Sequence, residues 1–425
     1  MRPAAAAVGE AGEGHATCFK QVAWRAQCPR AAAENMALAG VLLAAAAGSL
    51  AGTPMQRVLL ERTKAIDGSP ALYYGEQNTS STKWVIWIEG GGICQSLSDC
   101  QGRANSDLGS SKSFPQTFEI GQGMMQSDCS VNPGFCEWNR VYIPYVSGDI
   151  WTGQAASPLN PFPPSAQDSP EDAAWTGYFQ GHSIIEEVGQ SLRQSYGMMS
   201  ATEVIFTGCS AGGIGTILNC DFVADALGGN RPGGPRVVCR PEAGWFGLPI
   251  NDYAHFIAKT VMPDLRHLVS SNWTANISPW SEVSPEGKAC QADVLSGKRQ
   301  IANCAGQKGG AAACCSMLPI YYQYVKTPIY VSENTADKYQ VEVQGGMPDN
   351  VPLQGYVTYL RNILAGSLSA TGGLPHLMSA FTPHSTPLNC ASTPVSAVPH
   401  PAHVCASVCP LWGVSDCHWC VWLKY

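Results

Sequence analysis

The run Val204-Ile-Phe-Thr-Gly-Cys-Ser-Ala-Gly-Gly213 narrows the possible folds more than any other stretch of the chain. Val204 to Thr207 is apolar and β-rich, as a buried strand requires. Gly208-Cys209-Ser210-Ala211-Gly212 then fits the G-x-S-x-G pattern, and a helical stretch runs from Ile214 to about Leu227. Strand, sharp turn and helix are the context of a nucleophile elbow. Such a turn holds one serine in a strained conformation with its hydroxyl pointing out of the sheet. The flanking glycines leave out Cβ atoms that would clash there. The first peptide of the helix turns its N–H toward a developing oxyanion. With 44 Gly in 425 residues the bare pattern arises easily by chance, so the strand before it and the helix after it carry the argument.

More of the chain agrees with a parallel α/β architecture. Val58-Leu59-Leu60 and Ala71-Leu-Tyr-Tyr74 read as a hairpin turning at Asp67-Gly68. Trp84-Val-Ile-Trp-Ile88 is a continuous apolar run fit for a buried parallel strand. It ends in Glu89-Gly90-Gly91-Gly92-Ile93-Cys94, where bare backbone N–H groups can approach a ligand. No G-K-[ST] follows, which speaks against a phosphate loop. Arg140 to Val146 is strand-like, and His182 to Tyr196 is helical, with Ile184, Ile185, Val188 and Leu192 on one stripe. Val237-Val-Cys239 and Pro328-Ile-Tyr-Val-Ser332 are further strands. The order is that of a parallel sheet with helices on both faces. Residues 260–320 read as an irregular insertion or cap, and Tyr356 to Leu364 as a last helical stripe.

Eighteen cysteines spread from Cys18 to Cys420 without paired C-x-x-C spacing read as disulfides of an oxidising compartment, not zinc fingers. Cys94–Cys100 and Cys220–Cys239 are the expected local pairs. Cys209, confined in the elbow, is expected to stay free. The triplets at Asn78, Asn272 and Asn276 fit N-glycosylation. Residues 1–51 read as an extension with a signal peptide opening near Met36 and closing on Ser49-Leu50-Ala51. An Ala-rich helix of the fold and a signal anchor remain open for that segment. The apolar core is short for a membrane span. These features point to a secreted protein, extracellular or in a cell wall. The net charge of −7 with no basic run excludes nucleic acid as a natural partner.

Serine chemistry needs a base to take the hydroxyl proton and a carboxylate to fix the imidazole tautomer. In α/β hydrolases the chain order is Ser, acid, His. Ser210, Asp337 and His384 obey that order, with Asp337 in the polar loop after the Pro328–Ser332 strand. Asp349 follows the wrong element. Nine histidines keep the base open; His15, His182, His255 and His267 precede the acid, and His376, His384, His400, His403 and His418 follow it. Ser379-Ala-Phe-Thr-Pro reads as a loop leading to His384, whereas His376 reads as a surface residue.

Taken together, the motifs resemble those of the pectin acetylesterase/Notum family of carboxylesterases, over roughly residues 55–390. The resemblance rests on Trp84 to Cys94, Asn132 to Arg140, Ser147-Gly-Asp-Ile-Trp-Thr-Gly153, Gly208 to Gly213, Ala243-Gly-Trp-Phe246 and Asn334 to Gln340. It implies a catalytic domain over 52–390 with an α/β-hydrolase-like fold, and a triad of Ser210, Asp337 and His384. It implies an oxyanion hole from the N–H groups of Gly91, Gly92 and Ala211. It implies metal-independent ester hydrolysis without a cofactor, on O-acylated polysaccharide such as pectin. A longer acyl group on a protein or lipid, and a glycan- or acyl-binding protein without turnover, are the competing readings. The family often carries Cys on each side of the catalytic His; here Cys follows only at 390. The tail 391–425, with Cys and Trp, does not resemble the family's closing helix.

Overall fold

Among the described residues the apolar and β-branched runs form one nine-stranded sheet. In the computed structural model of the chain, residues 54–94, 96–120, 123–162, 169–245, 279–299, 310–316, 318–334 and 377–381 are described. β1 (Met55–Lys64) and β2 (Pro70–Glu76) pair antiparallel across the expected turn, with Gly68 at φ 83°. Asp67 closes that turn by accepting the Ser69 N–H at 2.9 Å. β3 (Lys83–Ile88), a short β4 (Thr117–Phe118), β5 (Asn139–Ile143), β6 (Glu203–Cys209), β7 (Arg236–Glu242), β8 (Tyr330–Asn334) and β9 (Leu377–Phe381) complete the sheet.

The strand order is β4-β1-β2-β5-β3-β6-β7-β8-β9. From β5 to β9 every pairing is parallel, while β4, β1 and β2 add on antiparallel. The α/β-hydrolase-like class expected from the sequence is therefore the fold observed. Cys209, Glu242, Ser332 and Ser379 fall in one row across four neighbouring strands. The C-terminal strand ends thus share one rim of the sheet, where parallel α/β proteins place their ligands.

Helices α1 (Leu97–Ala104), α2 (Pro170–Ala174), α3 (Gly181–Ser195) and α4 (Ala211–Ala226) flank the first six strands. α4 is buried nearly all round, as its uninterrupted Ala, Gly, Ile and Leu content demands, and the Cys220–Cys239 disulfide ties it to β7. On α3, the Glu187 carboxylate accepts the N–H groups of Glu61, Arg62 and Thr63, tying that helix to β1. A 3₁₀ turn, Gly123–Met125, meets the strands through Arg140, which donates to the Met125 carbonyl at 2.7 Å, and through Arg240, which reaches the Met124 sulfur.

The insertion is helical where it is described, not irregular. Its described residues form α5 (Trp280–Val283), α6 (Pro285–Leu295), α7 (Gly310–Cys315) and the start of α8 (Leu318–Tyr321). Such short helices hold too few turns for a 3.6-residue period to stand out. Their sequence signal is the cap, Ser284 before Pro285, with the Ser284 hydroxyl accepting the Gly287 N–H at 3.0 Å. Cys290–Cys315 joins α6 to α7. The loop expected before His384 is also corrected: Ser379 to Phe381 belong to β9. The N-terminal segment 1–51, the stripe at 356–364 and the tail 391–425 lie outside the described residues. Among the described residues no helix is long and apolar enough to cross a membrane.

Candidate active site

Ser210 stands between β6 and α4 with φ 58° and ψ −121°. That backbone is costly for any residue with a Cβ, about 1–3 kcal/mol, and persists only where the surroundings impose it. Here they do. The Ser210 N–H donates to the Glu242 carbonyl at 2.9 Å, and the Ser210 carbonyl accepts the Ile214 N–H at 3.0 Å. A Cβ on Gly208 would sit 2.5 Å from the Ile88 carbonyl oxygen and 2.7 Å from that of Gly212. One on Gly213 would sit 2.6 Å from the Glu242 oxygen. The elbow glycines are there because β3, β6 and α4 meet backbone to backbone. Ser210 itself remains partly exposed while its neighbours Cys209 and Ala211 are buried.

The end of β3 lies against this turn. A Cβ on Gly90 would stand 3.0 Å from Ser210 Cβ and would collide with the Cys209 carbonyl. Beyond it, Gly91 (φ 157°) and Gly92 (φ 73°) run partly exposed. Among the described residues, the N–H groups of Gly91, Gly92 and Ala211 donate to no protein acceptor, whereas those of Glu89, Cys94 and Ser210 do. Three unspent donors beside a strained serine are the material of an oxyanion hole.

The glycine loop is held from behind. Arg103 on α1 donates to the carbonyls of Gly91 at 2.8 Å and Ile93 at 2.9 Å, with Asp99 at 3.2 Å from its Nε. Cys94 donates its N–H to Gly148 O at 2.8 Å and is disulfide-bonded to Cys100. The Trp151 indole donates to Glu89 O at 2.9 Å. Trp151 and Ile150 both have positive φ, 65° and 50°. The buried Asp149 carboxylate imposes this, accepting the Ser147 hydroxyl (2.6 Å) and the N–H groups of Trp151 (3.1 Å), Gly153 (3.1 Å) and Gly181 (2.8 Å). Burial pushes Asp149 up to about 6 against the pull of those donors. Burial also pushes the Glu89 carboxyl up to about 7, against the pull of the Tyr145 N–H at 2.9 Å.

The structure brings Ser210 and Ala211 against Gly90, the residue that leads into Gly91 and Gly92. Asp337 and His384 lie outside the described residues, as does His376. His182 is a core residue: its Nδ1 lies 2.6 Å from Asn219 Oδ1, its ring stacks on Trp280 at 3.9 Å, and burial pulls it down to about 4. Cys209 corrects an expectation. It is disulfide-bonded, as is Cys314, while Cys94–Cys100 and Cys220–Cys239 pair as expected and Cys129–Cys136 adds a further local pair. The strain begins only at Ser210; Cys209 is still the last residue of β6, free to bond like any strand cysteine. The supporting roles of Arg103, Asp149 and Glu89 have no sequence signal, because nothing in the spacing of a charged residue reveals which distant backbone group it will hold. Among the described residues no group of three or more His, Cys, Asp or Glu side chains is arranged to hold a metal ion.

The profile of the pectinacetylesterase family matches residues 53–358. The chain belongs to the pectinacetylesterase family. The palmitoleoyl-protein carboxylesterase NOTUM of Mus musculus is 30% identical over 322 residues, 75% of this chain and 56% of that protein. Pectin acetylesterase 5 of Arabidopsis thaliana is 36% identical over 186 residues, 43% of this chain and 39% of that protein. The matches thus span about half the length of these relatives. The solved structure of the Wnt deacylase Notum from Drosophila shares the fold, with a TM-score of 0.59 and 23% identity over 77% of this chain and 84% of that one.

Proposed function

We propose that this member of the pectinacetylesterase family is a secreted serine carboxylesterase that removes acetyl groups from polysaccharide. The observation that carries the reading is the strained, partly exposed Ser210 beside the N–H groups of Gly91, Gly92 and Ala211, which donate to no acceptor among the described residues. In this reading Ser210 Oγ attacks the ester carbonyl carbon while the base takes its proton. The carbonyl oxygen gathers negative charge among the three N–H groups. The alcohol leaves with the proton from the base, and water then releases the acid by the same route in reverse.

We assign the acid to Asp337 and the base to His384. Asp337 follows β8 by three residues and His384 follows β9 by three, and the last residues of those strands, Asn334 and Phe381, are register partners. Both chains therefore leave the sheet side by side, on the rim that carries Ser210. Three residues reach at most about 10 Å. His376 is joined to Leu377, where β9 begins, at the opposite end of the strand. Five residues of strand separate the two ends by about 13 Å. This favours His384 over His376 more strongly than any sequence argument. His384→Ala should be nearly inactive and His376→Ala close to wild type; the reverse outcome would move the base.

Acetyl is favoured by the family profile and by the higher identity to pectin acetylesterases. The longer alignment with NOTUM keeps a fatty acyl substrate as the second reading. The test is hydrolysis of nitrophenyl acetate, octanoate and palmitate, and release of acetate from acetylated pectin, by the secreted protein. Ser210→Ala should reduce every rate by about 10⁴–10⁶-fold. A preference for palmitate over acetate would overturn the acetyl reading, and turnover retained by folded Ser210→Ala would overturn the serine mechanism.

A further inference from the structure

The glycine loop offers its N–H groups to the site only if something fixes its peptide planes. Glycines do not do this themselves, since they are the residues least restricted in φ and ψ. The C=O of one residue and the N–H of the next share a rigid plane and point in opposite directions. A group that pins the Gly91 carbonyl therefore also aims the Gly92 N–H, the opposite way. Arg103 is such a group. Its Nη1 holds the Gly91 carbonyl at 2.8 Å and its Nη2 the Ile93 carbonyl at 2.9 Å, one guanidinium bridging two peptides of the loop. The second contact fixes the Ile93–Cys94 plane, whose N–H goes to Gly148 O at 2.8 Å. The Arg103 side chain is only 10% exposed, and Asp99, one turn earlier on α1, holds its Nε at 3.2 Å. The Cys94–Cys100 disulfide joins the end of the loop to α1, so loop and arginine share one frame.

From this geometry we infer that Arg103 is the positioning residue of the oxyanion hole. It turns the Gly91–Gly92 peptide so that the Gly92 N–H faces away from α1. Its charge also polarises that peptide toward a stronger N–H dipole. Arg103 touches no reacting atom; it acts through the peptide it holds. The inference rests on the reading of Gly91 and Gly92 as oxyanion donors. Lysine is not equivalent, because an ammonium lacks the planar fork that grips two carbonyls at once. Gly92 leaves room for this arrangement: a Cβ there would come within 3.2 Å of Arg103 Nη2.

The experiment uses the full chain and counts nucleophilic sites by labelling Ser210 with a fluorophosphonate. kcat and KM for nitrophenyl acetate are then expressed per labelled site. Arg103→Gln should lower kcat per site about 100-fold, the scale of one lost oxyanion donor, with KM within about threefold. Arg103→Lys should lie between, about tenfold down. If Arg103→Gln fails to fold, Asp99→Asn takes its place; it leaves both carbonyl contacts but frees the guanidinium, and should lower kcat about two- to fivefold at constant KM. A kcat per site within twofold of wild type in Arg103→Lys and in whichever of Arg103→Gln and Asp99→Asn is folded overturns the inference. So does a loss of activity matched by a loss of labelled sites, which is what a merely structural role gives. Wild-type protein that takes no label at Ser210 overturns the nucleophile reading, and the inference with it.

Discussion

The two halves of the site are held in place by different physics. The elbow, Gly208 to Gly213, is fixed by backbone packing: strands and helix approach so closely that side chains are left out. The loop from Glu89 to Cys94 is fixed by side chains reaching in from elsewhere: Arg103, Trp151 and the Cys94–Cys100 disulfide. The first arrangement is local and rigid, with no charge to titrate. The second is assembled from distant segments and contains a buried carboxyl at its root. The elbow thus holds Ser210 and the Ala211 donor through backbone alone, while the geometry of the Gly91 and Gly92 donors depends on groups that can be removed one at a time.

The largest effect should come from adding a methyl group to each half. On Gly212 a Cβ would collide with the Ile88 carbonyl and lie 2.9 Å from that of Glu89. Neither backbone can give way, so Gly212→Ala should cost more than about 3 kcal/mol. Gly92→Ala meets only the far end of Arg103, and its φ of 73° is the main obstacle. It should cost about 1–2 kcal/mol. Urea unfolding of both variants checks the contrast. Equal costs would mean that the two halves are not held differently.

How much of this was legible follows the same division. The elbow, the hairpin at Asp67-Gly68 and the apolar strands declare themselves within ten residues, because period, turn residues and close approach are local properties. The pairing of Cys220 with Cys239 was legible because strand β7 follows helix α4 almost at once. The supports of the glycine loop were not. Arg103 is one charge on a short polar helix, and only the three-dimensional path of residues 91–93 makes it a clamp. Asp149 was visible within Ser147-Gly-Asp-Ile-Trp-Thr-Gly153 as part of a motif, yet its task, satisfying four donors in a tight loop, depends on Gly181 arriving from α3. Cys209 departs from its expected free state for a related reason: the confinement of the turn begins one residue later, at Ser210.

The second effect is electrostatic. Glu89, raised to about 7 chiefly by desolvation, is protonated more readily in the folded chain than in the unfolded one. The folded state therefore binds the extra proton between about 4.5 and 7, and stability falls as pH rises through that window. The size of the shift limits the effect to about 3 kcal/mol. Glu89→Gln should remove it, so the stability difference between wild type and variant should shift in favour of the variant from pH 5 to pH 8. Hydrogen exchange should place the change in residues 89–94 and leave 208–213 alone. A pH-independent difference would separate the glycine loop from the carboxyl at its root.

The smallest effect should come from cutting the connection between the halves. Trp151 touches both. Its indole N–H holds Glu89 O at 2.9 Å, its carbonyl accepts Asn219 of α4 at 2.9 Å, and its side chain covers Gly215, where a Cβ would sit 2.6 Å away. Trp151→Phe keeps an aromatic ring over Gly215 and deletes the hydrogen bond to Glu89, leaving that carbonyl without its indole donor. The expected cost is about 1 kcal/mol in urea unfolding. Because Arg103 still holds the Gly91 and Ile93 carbonyls, kcat for nitrophenyl acetate should fall less than about fivefold, well short of the loss in Arg103→Gln. The order of these two variants is the test of the comparison. If Trp151→Phe impairs kcat as much as Arg103→Gln, the loop is aimed from the elbow side through Trp151, and the two halves form a single mechanical unit.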